Sequence, residues 1–544
     1  DSQTLNEMKS GEKDETVERV KSNILRNWYV WIITTIGLSS FFLMVIFWFT
    51  NIFQDAVLSS LIIQNGTTTF DFWERPPVSL SYKFYVFNYT NVDDFENGTA
   101  NKLKVEQLGP YVYKETKKRV NVRIHENGTI SYQEEKSFRW ESGSSENDMI
   151  VVPNIPLLAT ISYFRNINIG AKIILNVILS ALNPQPFLRL TVKDFFWGYD
   201  DNLYNFLKTL SSLQQPLPFD KFGILVHYNG ITKDRITINA GLNDIDYLGI
   251  IERINGVNVR NIWGDDRCDR IYGTDGSMFP PKWIDNYNST PLYIYVNELC
   301  KPRKVDQNFV RLTLYTMIDG RTISSTDSCF CPKTMEHDGS ERKCPPIGFL
   351  NISSCNSGLP ILISFPNFYG ADRSLIESID GLKPNETLHE SFLDLHQFLA
   401  LPMNGSSKMQ LNVEVHKANG IPYTSKMKDG TILPIMWYDN TLDFLPQQFV
   451  NIFSDAHFVK MYIERAFRWG SLLIFVSSIC ALFMTLRKHL IDRRVSLFEN
   501  VSRERERERE RITMRTLTHG RVIIITIDII ISIYLEDRST LRTK

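Results

Sequence analysis

The chain of 544 residues has almost no charge imbalance: 60 Lys plus Arg stand against 61 Asp plus Glu, a net charge of −1. Without a basic excess to neutralise phosphates, it is not built to wrap a nucleic acid. Catalytic signatures are missing too. There is no G-x-S-x-G elbow, phosphate-binding loop or paired-glycine dinucleotide fingerprint. HESFLDLH offers His389, Glu390 and His396, but a zinc-protease helix needs its second His at i+4, where Leu393 stands. Asp265, Asp266 and Asp269 alternate with Arg267, Cys268 and Arg270 and read as a salt-bridged surface loop. These gaps leave a non-enzyme with no catalytic residue, no metal site and no cofactor. Cysteine is scarce as well: the chain has 7, too few for a disulfide-dense miniature scaffold, yet six of them crowd between Cys268 and Cys355.

What the chain does have is two long apolar runs. Trp28 to Thr50 carries no charge, and at ~1.5 Å per residue a helix of that length spans the ~30 Å hydrocarbon core of a bilayer. Trp28, Tyr29, Trp31 and Trp48 fit interfacial aromatic belts. The run is longer than a signal-peptide core and no small-residue cleavage site follows it. The second run, Trp469 to Leu486, is uncharged and bounded by Arg468 and by Arg487, Lys488, Arg493 and Arg494. Lys9, Lys13, Arg19, Lys21 and Arg26 precede the first run, so the positive-inside rule puts both ends in the cytosol. We therefore expect a cytosolic tail over 1–27, a transmembrane helix over 28–50, an extracellular or lumenal domain over 51–466, a second transmembrane helix over 467–486 and a cytosolic tail over 487–544. That tail contains the alternation RERERERER at Arg503 to Arg511 and reads as solvated low-complexity sequence.

Glycosylation acceptors agree with this topology. N-x-S/T falls at Asn65, Asn88, Asn97, Asn127, Asn288, Asn351, Asn385 and Asn404 between the two runs, and only Asn500 lies outside them. An oxidising compartment favours disulfides over zinc for Cys268, Cys300, Cys329, Cys331, Cys344 and Cys355. Six cysteines leave the connectivity open, although Cys329 and Cys331, with only Phe330 between them, are each expected to pair elsewhere. Cys480 sits alone in the second run.

Most of the large domain reads as strands. Val120, Val122 and Ile124 alternate with polar residues, Asn127-Gly128 supplies turn chemistry, and Ile130 and Tyr132 resume the alternation. Further strands are expected at Tyr82–Asn88, Arg235–Asn239, Leu292–Val296, Val310–Met317 and Gln410–His416. Helical pattern concentrates in Pro156–Leu182 and Asp194–Leu210, where KIILNVILSAL is apolar nearly all round and so has to bury itself or meet a hydrophobic ligand.

In order along the chain, FYVFNYTN (Phe84 to Asn91), QLGPYVYKE (Gln107 to Glu115), WGYDD (Trp197 to Asp201), FGILVHYNG (Phe222 to Gly230), CDRIYGTDGSMFPP (Cys268 to Pro281), CFCP (Cys329 to Pro332), SFPNFYGAD (Ser364 to Asp372), IDGLKPNETLHESFLDL (Ile379 to Leu395) and LPIMWYDN (Leu433 to Asn440) resemble the class B scavenger receptor family, from about Trp28 to Arg487. That family takes in fatty acid translocase, lysosomal integral membrane proteins and insect sensory neuron membrane proteins.

The resemblance implies an α+β ectodomain. Its body would be an antiparallel β-rich barrel, carrying an apical helical bundle at 156–213, a disulfide region at 268–355 and an internal hydrophobic tunnel. It implies bridges Cys268 with Cys329, Cys300 with Cys355 and Cys331 with Cys344. The implied function is a cell-surface receptor that binds fatty acids, sterols, other lipids or lipoproteins and channels them to the bilayer, with receptor co-subunits as further partners. Phe164, Lys172, Leu175, Ile178 and Leu179 are then the expected access point for ligand. The stretch between Lys172 and Arg189 has no basic residue, which favours neutral or single-chain lipids over anionic particles. PNF replaces the family's frequent PHF at Pro366 to Phe368, and DLHQ replaces its acidic DIEP at Asp394 to Gln397. With no acidic dileucine signal after Arg487, the plasma membrane is expected, with the lysosomal membrane as alternative. The competing classes are an adhesion or chemosensory co-receptor without transport, and a two-span ligand-gated channel, which would need more polar residues in its second span than Ser471, Ser477, Ser478 and Thr485.

Overall fold

The structure, a computed structural model, describes residues 28–539 except 167, 212–219, 282–291, 309–310, 314–327, 332–343, 357, 397, 425 and 443–444. The expected tail over 1–27, the sequon at Asn288 and most of the expected strand Val310–Met317 lie outside the described residues. The chain separates into two compact units, one of them Gln54–His457 and the other holding the two long apolar helices.

In the helical unit, α1 (Trp28–Phe49) and the helix Glu464–Ser539 lie against each other. Ser478 sits where a Cβ on Gly37 would be only 3.3 Å from its own, the close approach that small residues allow. Phe41 packs on Phe475 with ring centroids 5.3 Å apart, Trp48 meets Trp469 edge to face at 5.5 Å, and Arg468 Nε donates to the Phe47 carbonyl at 2.7 Å. These two helices are long and apolar enough to cross a membrane. The second one runs on through the Arg-Glu alternation as an exposed helix rather than stopping near Leu486. The alternation sets opposite charges at i, i+3 and like charges at i, i+4 there, so its side-chain pairs largely offset one another.

The larger unit is built on one antiparallel sheet. Its strands are β1 (Leu80–Tyr89), β2 (Val105–Ile124), β3 (Thr129–Gly143), a separate pair β4 (Met149–Pro153) and β5 (Phe187–Thr191), then β6 (Gly230–Ile231), β7 (Ile236–Asn239), β8 (Ile251–Ile254), β9 (Leu292–Val296), β10 (Lys301–Asn308), β11 (Arg311–Thr313), β12 (Phe349–Asn351), β13 (Ile361–Ser364), β14 (Phe392–Leu395), β15 (Pro402–Val415) and β16 (Thr431–Leu442). The main order is β8-β7-β3-β2-β1-β16-β15-β14-β11-β10-β9. Sequence alternation and turn chemistry explain the long β2–β3 hairpin, where Gly128 takes φ +80° at the turn.

The two ends of this strand path are stitched by one segment. Gly273 accepts from the Ile251 amide, Thr274 donates to Tyr293 and accepts from Tyr295, and Thr274 bridges Ile250 on one side and Ile294 on the other. The CDRIYGTDG motif thus closes β8 onto β9 and leaves the sheet without free edges at that point, which makes the body barrel-like. Gly273 has φ +99°, and a Cβ there would strike the Tyr293 backbone, so glycine is required.

The largest apolar core packs Phe84, Tyr111 and Tyr113 of β1 and β2 against Phe195 and Phe196, with Phe84 to Phe196 at 5.2 Å between ring centroids. Each fully buried ring of this kind contributes about 1.5–3 kcal/mol. A second cluster belongs to short helices. Among them, α2 (Ile52–Ser59), α3 (Thr68–Glu74) and α4 (Val92–Asn97) decorate the sheet, and α5 (Ile155–Phe164), α6 (Ile169–Leu182), α7 (Val192–Trp197) and α8 (Asn202–Ser211) cover residues expected to form the helical bundle. Asn154 and Asn168 cap α5 and α6 by accepting from the Leu157 and Ala171 amides, at 3.1 and 2.9 Å. Leu157, Ile161, Leu175, Leu179 and Leu203 pack together between α5, α6 and α8.

The motif IDGLKP contributes a second close approach, since Gly381 has φ +104° and a Cβ on it would collide with the Val105 carbonyl oxygen that begins β2. Gly381→Ala is expected to lower the fraction of mature glycosylated protein at the cell surface and the thermal midpoint of what remains. Normal maturation and an unchanged midpoint would show that β2 tolerates the shift.

Candidate functional site

The inner face of β2 changes character along its length. Tyr111 and Tyr113 are buried and apolar in setting, and the same alternating face continues through Glu115, Lys117 and Arg119. On β3 the pattern is matched by Tyr132, Glu134 and Lys136, with Glu134 in register opposite Arg119 and Lys136 opposite Lys117. Charges on an inward face must be paired or solvated, because a bare buried charge costs several kcal/mol or more.

Most are paired. Lys117 bonds Glu134, and Lys136 Nζ lies 3.3 Å from the other oxygen of Glu134 and 3.8 Å from Glu298. Burial alone would raise the Glu134 carboxyl, but Lys117 and Lys136 outweigh it and hold the group well below the usual carboxylate range. Arg119 is buried with its guanidinium 4.9 Å from the Trp73 ring centroid and 5.1 Å from that of Tyr132. It donates to the Trp73 carbonyl and pairs with Asp275 at 3.0 Å. Asp275 comes from GTDGSMFPP, so the motif that closes the barrel also supplies a counter-ion to its interior.

Glu115, Lys117, Arg119, Lys136, Asp275 and Glu298 border a cavity of ≈ 1190 Å³ inside the larger unit. That exceeds the ~300–1,000 Å³ of ordinary small-molecule pockets. Strands supply Leu80, Ile294, Val296, Phe392, Leu393 and Met409, while Leu61, Ile62, Phe72, Leu445, Phe449 and Ile452 line it from segments that flank the sheet in sequence. Among the described residues, five buried polar atoms of residues on its wall have no hydrogen-bond partner: Trp73 Nε1, Glu115 Oε1, Arg119 Nε, Arg303 Nη2 and Asn440 Oδ1. Desolvation pushes the Arg303 guanidinium down to about 10, with Tyr438 opposing, and desolvation also pushes the Glu115 carboxyl up.

The six clustered cysteines come together in three bonds. Cys268 joins Cys329, Cys300 joins Cys355 and Cys331 joins Cys344, with Cα separations of 6.0, 5.9 and 4.6 Å. Cys480 is free and exposed. Asn65, Asn97, Asn127, Asn385 and Asn404 are exposed, whereas Asn88 and Asn351 are half-buried. Asn88 lies within β1 and its amide oxygen accepts from the Val151 amide at 2.8 Å.

Of the residues expected at the ligand access point, Leu175 and Leu179 are buried within the helical cluster and Phe164 packs against it, while Lys172 and Ile178 are half-buried. The exposed stripe of α6 is instead Ile169, Ile173, Ile174 and Val177, each at least 60% exposed. None of the described residues of α5 to α8 lines the large cavity. Asp269, expected in a surface loop, is buried and accepts from the amides of Ile262, Trp263 and Asp265, so it shapes the loop instead. The charged row of Glu115, Lys117, Arg119, Glu134 and Lys136 was not singled out from sequence. Its signal was the strict alternation that carries the tyrosines of YVYKETKKR and the charges that follow them onto one face.

The sequence pattern of the CD36 family matches residues 32–486, and the chain belongs to that family. Scavenger receptor class B member 1 of Mus musculus is 29% identical over 449 residues, covering 79% of this chain and 85% of the relative. The protein of the same name from Sus scrofa is 30% identical over 398 residues, covering 71% and 75%. Lysosome membrane protein 2 of Rattus norvegicus is 30% identical over 414 residues, covering 72% and 81%. Membership of this family supports a receptor role, and the two apolar helices flanking the larger unit in sequence fit a membrane protein with both termini cytosolic.

One titrating group generates a prediction. His389 is buried in the HESFLDLH segment, where its Nδ1 accepts from the Asn385 amide at 3.0 Å. Desolvation, helped by Lys408, pushes its imidazole down to about 4. A histidine whose folded value is depressed binds its proton only when unfolded, so it stabilises fully above the unfolded value of ~6.5 and progressively less as pH falls towards 4. The wild-type protein is expected to lose on the order of 1 to 2 kcal/mol between pH 7 and pH 5 from this group. Thermal midpoints at the two pH values should converge in His389→Gln relative to wild type, and an equal drop in both proteins would assign the acid sensitivity elsewhere.

Proposed function

We propose that the protein is a membrane receptor that takes single-chain or sterol-like hydrophobic ligands into the barrel cavity and passes them unaltered to the bilayer. The observation that carries this reading is the cavity itself: ≈ 1190 Å³, with a mainly aliphatic and aromatic wall interrupted by the charged strip of β2 and β3. Each methylene moved from water into such a wall gains about 0.8 kcal/mol, so a long acyl chain gains on the order of 10 kcal/mol. Such a gain drives uptake down a gradient with no chemical step. The cavity wall includes residues 59–69 and 445–452, which lead along the chain into the two apolar helices, a connectivity that suits delivery to lipid.

The names of the relatives, a scavenger receptor and a lysosome membrane protein, suggest the plasma membrane with its large domain outside, or the lysosomal membrane with that domain in the lumen. The exposed apolar stripe of α6 supports first contact with ligand or with a partner receptor at Ile173 and Val177, in place of the buried Leu175 and Leu179. Asn65, Asn97, Asn127, Asn385 and Asn404 are the sequons whose exposure suits glycan attachment.

Val296 on β9 faces the cavity, and Val296→Trp would occupy part of it. Cells displaying this variant at normal surface density should take up labelled long-chain fatty acid or sterol several-fold more slowly than cells displaying wild type. Equal uptake would argue that ligand does not pass through the barrel, and an absence of lipid uptake by wild type would favour adhesion over transport.

A further inference from the structure

The cavity is mostly apolar, yet one cation on its wall has no counter-ion among the described residues. Arg303, on β10, is 6% exposed, lines the cavity, and leaves its Nη2 without a hydrogen-bond acceptor among the described residues. The other cations there are committed: Lys117 and Lys136 to Glu134, Lys136 also to Glu298, and Arg119 to Asp275. Arg303 stands apart from that network, and among the described residues the one charged or titrating neighbour that acts on it is Tyr438, itself half-buried on the cavity wall. Glu115, the unpaired carboxyl of the cavity, responds to Lys136 and Lys117 instead.

A buried guanidinium keeps its charge and presents several N–H donors in a plane, so it needs an acceptor that can enter with the ligand. The strand that carries it is fixed in place. Cys300, bonded to Cys355, immediately precedes β10, the Trp263 indole donates to the Cys300 carbonyl at 2.9 Å, and Arg303 pairs in register with Ile294 of β9. The donor therefore projects from a rigid wall beside Ile294, which also lines the cavity.

We propose that Arg303 is the headgroup-recognition residue of this cavity and selects amphiphiles with a compact anionic headgroup, a carboxylate above all, over neutral lipids of the same chain length. The proposal rests on the cavity being a lipid site, and it assigns the selectivity to an interior residue, since α6 carries no basic side chain beyond Lys172. Charge-assisted hydrogen bonds are stronger than neutral ones, and a guanidinium with one apolar chain beside it matches a fatty carboxylate in both charge and shape.

Full-length protein in neutral detergent should be titrated with hexadecanoate, hexadecanol and hexadecyl sulfate, for wild type, Arg303→Met and Arg303→Lys. The expected result is that wild type binds hexadecanoate at least tenfold more tightly than hexadecanol, a factor typical of one charged hydrogen-bonded pair. Arg303→Met should lose that advantage while binding hexadecanol as well as before, and Arg303→Lys should keep part of it. The sulfate arm reads whether the site accepts any compact anion or the carboxylate alone, and preference for the sulfate over the carboxylate would overturn the assignment of a carboxylate. Equal affinity of wild type for hexadecanoate and hexadecanol overturns the proposal and leaves the lipid cavity standing, a comparison that needs no variant to fold. Loss of hexadecanoate and hexadecanol in equal proportion on Arg303→Met likewise overturns it. Binding of none of the three by wild type removes the cavity reading as well.

Discussion

The barrel of this protein cannot close onto a dry core, because the inner faces of β2 and β3 become charged partway along. Tyr111 and Tyr113 give way to Glu115, Lys117 and Arg119, and Tyr132 to Glu134 and Lys136. Charges at those positions are tolerable only in pairs or against a space that something polar can enter. The ion pairs of Lys117, Lys136 and Glu134, and of Arg119 with Asp275, satisfy most of them. The cavity lies against that charged strip, and its apolar lining comes from Leu80, Ile294, Val296, Phe392, Leu393 and Met409 on other strands. The disulfide at Cys300 and the backbone stitch through Gly273 and Thr274 keep those opposing strands in place.

The chain's own patterns carry a good deal of this. The apolar runs at Trp28 and Trp469 correspond to two long helices, and the alternation from Val120 to Tyr132 corresponds to the β2–β3 hairpin. The antiparallel β-rich body with segregated helices was legible through motif resemblance, and family membership supports it. What stayed hidden depends on three-dimensional phase. KIILNVILSAL is apolar all round, so nothing in the sequence distinguishes Leu175 and Leu179, which face the cluster, from Ile173 and Val177, which face outward. Arg303 sits in KPRKVD among other cations and is indistinguishable from them until its strand is placed beside Ile294 on the cavity wall. Asp269 looked like one more surface acid until three backbone amides were found pointing at it.

The GTDGSMFPP segment gathers several tasks in a short span. Gly273 allows a backbone approach that no side chain permits, Thr274 bonds both ends of the strand path, Asp275 neutralises Arg119, and Met278 and Phe279 enter two apolar clusters. A motif with that many constraints is recognisable at low overall identity for physical reasons. Changing any of these residues disturbs closure, charge balance or packing. The C-terminal Arg-Glu alternation, an exposed helix, bears no comparable set of contacts among the described residues.

The account stands on the cavity being a lipid site rather than a water-filled flaw in the barrel. Extraction and mass spectrometry of lipids retained by the purified full-length protein, after exhaustive detergent exchange, tests this most directly. Retention of single-chain or sterol-like lipid at close to one molecule or more per chain, enriched over the bulk membrane, is the predicted result. Recovery of no lipid, or of a mixture matching that carried by an unrelated membrane protein purified in parallel, would contradict it.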